Sequence, residues 1–178
     1  MIRRSSSGRS WRRTWPASWT RVEESAPLGY VAANYRDSKD EIASAAFIGF
    51  EPGTIGEPPV TDGSSLTSSD SDGLLADSSF LKAAGLNVGD TVTVSLRLTT
   101  REFRIVGEID EGAFFFQPAV YVLLSTWQEL KYGTTQGVPS ASIMLLKGDD
   151  LAGLNGDGYE VVSKTVAFAN IEGVQGQQ

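Results

Sequence analysis

The sequence predicts an α+β fold, mixed and rich in β-strands. Three observations carry this prediction. A short apolar segment at 74–76 leads into a helix signal over 78–84, apolar and polar residues alternate over 91–98, and an apolar return strand follows over 103–109. A strand and a short helix followed by a hairpin indicate a sheet with helices packed against it.

The predicted helix over 78–84 has clear start and stop signals. Asp77 is placed as its N-cap, because an aspartate carboxylate accepts hydrogen bonds from the free N–H groups of a first helical turn. Gly85 is placed as its C-terminal stop, with Leu86 folding back on the helix. Residues 88–90, Val-Gly-Asp, then turn the chain into the next strand.

The strand pair over 91–109 is predicted from its alternation. Apolar residues occupy every second position of the first strand: Val92, Val94, Leu96 and Leu98. Phe103 and Ile105 form the apolar face of the second strand. From 106 to 109 the alternation is lost, which predicts a bulge or a strand buried on both sides.

The elements before residue 73 are predicted from short apolar runs. Segments 28–34 and 43–50 read as strands, with a polar turn over 35–40 between them. Residues 51–72 contain prolines and glycines followed by a run rich in Ser, Thr and Asp. They are therefore predicted to be a loop without structure of its own.

The segment 118–130 predicts a strand followed by a helix around Trp127. Ser125 and Gln128 are placed for a capping box, and Gly133 is placed as the helix stop. Further along the chain, the pattern predicts a strand over 142–146, a turn over 155–158 and a final strand over 159–168.

Three segments, in this order, resemble the extracytoplasmic domain of FtsX-like ABC transporter permeases, the family that includes the periplasmic core domain of the MacB type. Residues 84–94 read AGLNVGDTVTV and are similar to the family's hairpin. Residues 103–109 read FRIVGEI, like its return strand, and 118–130 read PAVYVLLSTWQEL, like its next strand and helix. Residues 165–178 are similar to the segment that leads into the second membrane helix of these permeases.

The resemblance implies a division of the chain into subdomains. Residues 22–60 and 136–178 would together form an outer α/β subdomain. Residues 61–135, with the strand, helix and hairpin, would form a smaller β-rich subdomain inserted into it. The residues alone also allow one continuous α+β domain over 22–178.

The resemblance also implies a function. An intact permease of this kind lies in the cell membrane beside a cytoplasmic ATPase subunit, and this chain would be its domain on the extracytoplasmic face. The expected partners are the transmembrane helices of the same permease, that ATPase, and an exported peptide, lipid or lipoprotein or another exterior partner. The ATPase would hydrolyse ATP, and the membrane helices of the permease would pass the resulting motion to this domain.

The absence of two residue types excludes several kinds of chemistry. The 178 residues contain no Cys and no His, so disulfides, thiolate nucleophiles, Cys/His zinc sites and Ser-His-Asp triads are excluded. No segment has the G-x-x-x-x-G-K-S/T pattern of a nucleotide-binding P-loop. We therefore expect no enzymatic activity and no cofactor.

Charge is divided unevenly along the chain. Residues 1–21 contain six Arg and no acidic residue, whereas the rest has nine Lys and Arg against 22 Asp and Glu, a net charge of −13. An acidic body repels nucleic acid, so none is expected as a partner.

The basic segment 1–21 also contains Trp11, Trp15 and Trp19 at a four-residue spacing. One interpretation is an anchor at anionic lipid headgroups, where Trp and Arg are typical. Pro16 argues against a continuous helix there. The interpretation that we favour is a disordered or cloning-derived tail.

Two acidic clusters contain oxygen ligands of the type that Ca²⁺ prefers. One is 70–73, Asp-Ser-Asp-Gly, and the other combines Asp149 and Asp150 with 155–158, Asn-Gly-Asp-Gly. Neither completes an EF-hand loop, and Asn-Gly and Asp-Gly are typical of tight turns. We therefore favour turns and expect no metal site.

A run of three aromatic residues is the candidate partner contact: Phe114, Phe115 and Phe116. Successive side chains of an extended segment point to opposite faces, so at least one is expected to be exposed or to pack against another subdomain. An exposed phenylalanine would contact a peptide, a lipid or a partner protein. The alternative, to which we give slightly more weight, is a core between subdomains.

The main alternative function is a stand-alone ligand-binding or adhesion module at the cell surface. It fits the acidic body, the absence of Cys and the loop rich in Ser and Thr. A hydrolase that uses carboxylates alone is disfavoured, because Glu108 with Asp110 and Glu23 with Glu24 have no pocket or helical context for acid–base chemistry. We interpret both carboxylate pairs as solvated faces.

Overall fold

The structure is a computed structural model that describes residues 21–97, 99–110, 118–139, 141–151, 154 and 160–162. Within these residues lie eight strands and two helices. In chain order they are β1 (Val22–Arg36), β2 (Ile42–Phe50), β3 (Val60–Gly63), β4 (Gly73–Asp77), α1 (Ser78–Ala84), β5 (Thr91–Leu96), β6 (Thr99–Ile109), β7 (Ala119–Leu123), α2 (Leu124–Tyr132) and β8 (Ile143–Gly148). The predicted fold, α+β and rich in strands, is confirmed.

The strands form one mixed sheet, six strands of which close into a ring. The order of pairing is β2-β7-β4-β6-β5-β1-β8, with β3 attached to β6, and β1 also pairs with β2. This last pairing closes β1, β2, β7, β4, β6 and β5 into a ring. Within the ring, β2–β7 and β4–β6 are parallel and the other pairings are antiparallel.

All six strands of the ring contribute to one hydrophobic core, which we call the ring core. Each supplies two alternate residues that are at most 3% exposed: Ala33, Tyr35, Ala45, Phe47, Leu74, Ala76, Val92, Val94, Phe103, Ile105, Val120 and Val122. Because side chains alternate across a strand, these residues share the inner face of the ring. Burying a side chain of Val, Leu or Phe size contributes roughly 1.5–3 kcal/mol.

The two helices lie at opposite ends of the ring. α1 follows β4 and α2 follows β7, and these two strands are antiparallel. Both helices bury side chains in the ring core: Phe80, Leu81 and Ala84 from α1, and Leu124, Trp127 and Leu130 from α2. Each helix therefore closes the ring core at its own end.

A second core covers the other face of β2, β4 and β7. Its buried members are Leu28, Ala46, Ile48, Phe50, Leu66, Leu75, Ile109, Ala119, Tyr121 and Leu123. Leu66 comes from the connection over 51–72, which was predicted to be loop alone. That prediction is wrong in part, because Val60–Gly63 forms β3 and pairs with β6.

α2 packs against two glycines through Trp127. A Cβ atom on Gly29 would lie 2.0 Å from the indole, and one on Gly49 would lie 2.5 Å from the Trp127 Cβ. Only glycine at these two strand positions leaves room for the indole. The Trp127 side chain is fully buried, and its N–H has no hydrogen-bond partner among the described residues.

Both ends of α1 are confirmed. The Oδ1 atom of Asp77 accepts a hydrogen bond from the Phe80 N–H at 2.6 Å. Gly85, with φ 64°, ends the helix in the left-handed conformation. The Leu86 N–H donates to the Leu81 carbonyl at 3.1 Å, so the chain folds back on the helix as predicted.

The predicted hairpin is β5 paired with β6, and its predicted apolar face lies in the ring core. The loss of alternation is a bulge. Leu74 of β4 pairs with Ile105 and Leu75 pairs with Gly107, so Val106 is the extra residue of the bulge and has no register partner in β4. Leu98 lies outside the described residues.

Other predictions differ from the structure at the ends of elements. β1 extends beyond 28–34 on both sides and includes Tyr35, because its two halves pair with different neighbours, β8 and β2. The capping box of Ser125 and Gln128 is wrong. β7 runs directly into α2, so the N-cap is Leu123, which has no side-chain hydrogen bond, and Ser125 lies in the first turn.

The remaining predictions concern the C-terminal part. Gly133 ends α2 with φ 75°, and the strand predicted over 142–146 is β8, so both are confirmed. The predicted turn over 155–158 lies outside the described residues. Of the predicted strand over 159–168, only 160–162 are described, and they are not in a strand.

Strands from both predicted subdomains lie in the same ring. β1 and β2 come from 22–60, and β4 to β7 come from 61–135. β8, from 136–178, pairs with the first half of β1. The division into an outer and an inserted subdomain stays a prediction, since most of 151–178 lies outside the described residues.

Candidate functional site

The candidate partner contact, 114–116, lies in the segment 111–117, outside the described residues. The structure shows where this segment leaves and re-enters the sheet. β6 ends at Ile109, which pairs with Asp77 of β4. β7 begins at Ala119, whose N–H donates to the Asp77 carboxylate at 3.1 Å. The last residue of β6 and the first residue of β7 therefore both lie beside Asp77, at the end of the ring that α1 closes.

Asp77 is a buried charged residue, only 1% exposed, and each carboxylate oxygen has a partner. Oδ1 accepts hydrogen bonds from the Phe80 N–H at 2.6 Å and from the Ser79 hydroxyl at 2.7 Å. Oδ2 accepts the hydrogen bond from Ala119. The cap is predictable from the sequence around Asp77, whereas the second bond is not, because no local signal connects residues 77 and 119.

Tyr121 of β7 lies close to the same carboxylate. Burial, and to a smaller extent the negative charge of Asp77, raises the pKa of its hydroxyl to about 12. Its ring packs edge-on against Phe50, with 6.3 Å between ring centroids. A phenol with this pKa stays neutral at physiological pH, so Tyr121 is suited to packing and not to proton transfer.

A concave surface, which we call the α1–β3 groove, lies beside the same end of the ring. Its cavity volume is about 520 Å³. One wall comes from α1 and the residues after it, and the other from β3 and β6. The lining residues are Asp62, Leu81, Lys82, Gly85, Leu86, Asn87, Val88 and Glu108. Sequence analysis did not identify this groove, because its two walls come from distant parts of the chain.

At the opposite end of the ring, Arg101 of β6 joins three parts of the chain. Its guanidinium contacts the Asp72 carboxylate at 2.7 Å and the Glu129 carboxylate of α2 at 2.8 Å. It also lies 5.4 Å from the centroid of the Phe103 ring. Partial burial alone would lower the pKa of Arg101, but the hydrogen bonds to Glu129 and Asp72 outweigh it and raise the pKa. The cluster connects α2 and the residue before β4 to the start of β6.

The first acidic cluster proposed as a calcium ligand set has partners within the protein. The Asp70 Oδ2 atom accepts hydrogen bonds from the Thr67 hydroxyl at 2.6 Å and the Thr67 N–H at 2.7 Å, and these bonds lower the pKa of Asp70. Asp72 is paired with Arg101. Asp70 therefore binds Thr67 and Asp72 binds Arg101, so the two carboxylates have separate partners within the protein.

The second cluster is described only in part, because 155–158 lie outside the described residues. Asp150 forms an ion pair with Arg21. Across the part of the chain that the structure describes, no three Asp or Glu residues are grouped so that they could hold a metal ion.

In each carboxylate pair noted in the sequence, one member lies against a neighbouring strand. Glu24 forms an ion pair with Lys147 of β8. Glu108 lies directly opposite Asp62 of β3 and lines the α1–β3 groove. Sequence analysis missed Asp62, because it lies in the segment that was predicted to be loop.

Neither described helix is long and apolar enough to cross a membrane. No protein-family model matches the sequence, and no curated protein sequence matches it.

Solved structures with the same fold do match. The extracellular domain of the noncanonical ABC-type transporter YknZ from Gram-positive bacteria is 14% identical, with a TM-score of 0.54, over 73% of this chain and 67% of that one. The periplasmic region of MacB from Actinobacillus actinomycetemcomitans is 19% identical, with a TM-score of 0.52, over 85% of this chain and 65% of that one.

The described chain thus spans about two thirds of the length of either solved domain, as the coverages of 67% and 65% show. At this level of identity the likeness concerns the fold. It agrees with the sequence resemblance, which rests on segments that lie in α1, β5, β6, β7 and α2. The chain has the fold of the extracytoplasmic domains of ABC transporter permeases represented by YknZ and MacB.

Proposed function

We propose that this chain is the extracytoplasmic domain of an ABC transporter permease of the FtsX/MacB type, which couples ATP hydrolysis by a cytoplasmic subunit to export or to an exterior partner. The observation that carries the proposal is the fold shared with the YknZ and MacB domains. The transmembrane helices of the same permease and the ATPase are its proposed partners.

The pairing of β1 with β8 supports this proposal. Val22 at the start of β1 pairs with Gly148 at the end of β8, so the first described strand begins where the last described strand ends. A domain inserted between two membrane helices needs both connections on the side that faces the membrane. β1 has 15 residues and spans about 45–50 Å at about 3.3 Å per residue, so Arg36 lies far from that side.

Under this proposal the domain transmits motion and catalyses no reaction of its own. The chain has no His and no Cys. The buried polar side chains among the described residues are Asp77 and Thr126. Asp77 is hydrogen-bonded as described above, and the Thr126 hydroxyl donates to the Ser71 carbonyl at 2.9 Å. Both groups are engaged in hydrogen bonds within the fold. Under the proposal, the energy of ATP hydrolysis reaches the domain through the transmembrane helices.

The absence of Cys from these 178 residues permits a test of the proposed location, in which labelling of the complete protein without the substitution is the background. Thr99→Cys would place one thiol on the exposed hairpin between β5 and β6 of the protein expressed from its complete gene. A membrane-impermeant maleimide added to intact cells is expected to label it. A cysteine in a cytoplasmic protein of the same cells serves as the control. Labelling of Thr99→Cys only after lysis contradicts the proposal.

A second measurement separates the transporter from a stand-alone ligand-binding or adhesion module at the cell surface. The complete protein would be extracted from membranes in detergent and purified. The transporter is expected to co-purify with an ATPase subunit, and deleting the domain is expected to change the response of ATP turnover to the exterior partner. A protein that needs no detergent and co-purifies with no ATPase supports the module.

A further inference from the structure

The α1–β3 groove has an apolar floor. Leu81 of α1 is 9% exposed, and Leu86 and Val88 are half-buried against the ring core. The hydrogen bond from the Leu86 N–H to the Leu81 carbonyl keeps the two leucines side by side. The cavity of about 520 Å³ lies within the range of about 300–1,000 Å³ that is typical of ligand pockets.

The wall on the sheet side carries two carboxylates that face each other. Asp62 of β3 and Glu108 of β6 are register partners on antiparallel strands. Like charges directly opposite each other on a sheet repel and destabilise the pair. Neither carboxylate has a hydrogen-bond or ion-pair partner among the described residues, so their mutual repulsion is not offset by a neighbouring cation of the described chain.

The opposite wall carries one cation. Lys82 of α1 is exposed, and its ammonium group also has no partner within the described part of the chain. It lines the same cavity as Asp62 and Glu108, yet no ion pair crosses the groove. The groove therefore presents two carboxylate acceptors on one side, the ammonium donor of Lys82 on the other, and apolar side chains between them.

We propose that the α1–β3 groove binds a short extended peptide that carries Lys or Arg beside an apolar side chain. The cationic side chain would lie between Asp62 and Glu108 and relieve their repulsion. The apolar side chain would cover Leu81 and Leu86. Lys82 would donate to a carbonyl of the peptide backbone, which a simple polyamine lacks.

The site lies at the end of the ring that α1 closes. Glu108 lies one residue before the end of β6, on the described side of the segment 111–117. Binding in the groove needs no membrane and no ATPase. It can therefore be tested on the 178-residue chain, and its outcome is independent of the transporter function.

The test uses capped tetrapeptides as probes, acetyl-Leu-Arg-Leu-Arg-amide and its counterpart with Glu in place of Arg. Amide chemical shifts of the isotope-labelled chain would be followed as each peptide is added. We expect the Arg peptide to shift residues of β3, α1, β6 and 85–88, and the Glu peptide to cause no such shifts. Added salt is expected to weaken binding, because ion pairs at the rim are screened.

Two double variants with the same change in charge make the test specific. Asp62→Asn with Glu108→Gln is expected to weaken binding of the Arg peptide by at least about threefold, since each partly exposed ion pair contributes modestly. Glu23→Gln with Glu102→Gln removes two exposed carboxylates elsewhere and is expected to leave affinity unchanged. The proposal is overturned by equal affinities of the two double variants, by shifts confined to other parts of the chain, or by equal binding of the Glu peptide.

Discussion

Asp77 and Ala119 are 42 residues apart in the sequence and are joined by a hydrogen bond of 3.1 Å from the Ala119 N–H to Oδ2 of Asp77. The other carboxylate oxygen caps α1. One buried side chain therefore holds α1 and the start of β7 in a fixed relation. In the sequence, the candidate partner contact lies between β6 and β7, and Asp77 holds the first residue of β7.

We predict that Asp77→Ala destabilises the domain by about 2–4 kcal/mol. Loss of an N-cap costs about 0.5–2 kcal/mol, and leaving a buried donor unsatisfied costs about 1–3 kcal/mol more. Urea unfolding would measure the change. Ser79→Ala, which removes a donor to the same carboxylate and leaves both backbone bonds, is expected to cost about 1 kcal/mol or less. Equal effects of the two substitutions would show that neither the cap bond to Phe80 nor the bond to Ala119 contributes.

The contact between Trp127 and Gly29 gives a second prediction. Gly29→Ala places a methyl group 2.0 Å from the indole, so we expect a loss of about 1–3 kcal/mol or more. Replacing Trp127 by Leu as well would remove the clash, so the double variant should lose less than the sum of the single losses. Additive losses in thermal or urea unfolding would contradict the contact.

The hairpin of β5 and β6 gives a third prediction, because its two faces differ in burial. Val94 and Ile105 are fully buried, whereas Thr93 is only half-buried on the opposite face. Val94→Ala or Ile105→Ala is expected to destabilise by roughly 1–4 kcal/mol, and Thr93→Ala by clearly less. Urea unfolding of the three variants measures this difference. Equal losses at Val94 and Thr93 would mean that the facing of β5 is wrong.

Local chemistry explains which parts of the fold were predictable. The ends of α1 follow from Asp77 and Gly85, which act within one helical turn of their own positions. The hairpin follows from alternation within β5 and β6. The bulge at Val106 was also visible, because one extra residue breaks the alternation in the sequence itself.

Contacts between distant segments explain what was missed. β3 has no strand pattern of its own and exists because β6 supplies its hydrogen bonds. The capping-box pattern at Ser125 and Gln128 is local and does not report where the preceding strand ends. Because β7 ends at Leu123, α2 begins one residue before Ser125. Asp62 joins Glu108 only through the pairing of β3 with β6, so neither the carboxylate pair nor the groove has a local signature.

The alkaline stability of the domain gives a fourth prediction. The pKa of Tyr121 is raised from 10.0 to about 12 in the folded protein, so folding favours the neutral phenol. The contribution of this group is fully present below pH 10 and is lost as the pH rises towards 12. We expect the free energy of unfolding of the unmodified chain to fall more steeply over this range than that of Tyr121→Phe.

Two measurements check the origin of this effect. Ultraviolet titration should show one fewer late-ionising tyrosine in Tyr121→Phe. In Asp77→Asn the pKa of Tyr121 should fall slightly but remain raised, because burial is the larger cause and the charge of Asp77 the smaller one. A Tyr121 that ionises with exposed tyrosines in the unmodified chain would show that the hydroxyl is not buried.

The last prediction concerns the candidate partner contact. Phe114, Phe115 and Phe116 would be changed singly to Ser, and each variant would be assayed for thermal stability of the domain and for export or signalling by the intact transporter. If one of the three is an exposed contact, its substitution should leave stability nearly unchanged and impair function, because an exposed side chain contributes to binding without supporting the core. Asp77→Ala is the comparison, because it is expected to lower the thermal stability of the domain. Any loss of function in this variant would therefore follow from unfolding. Unfolding by all three Ser substitutions would instead identify the cluster as core.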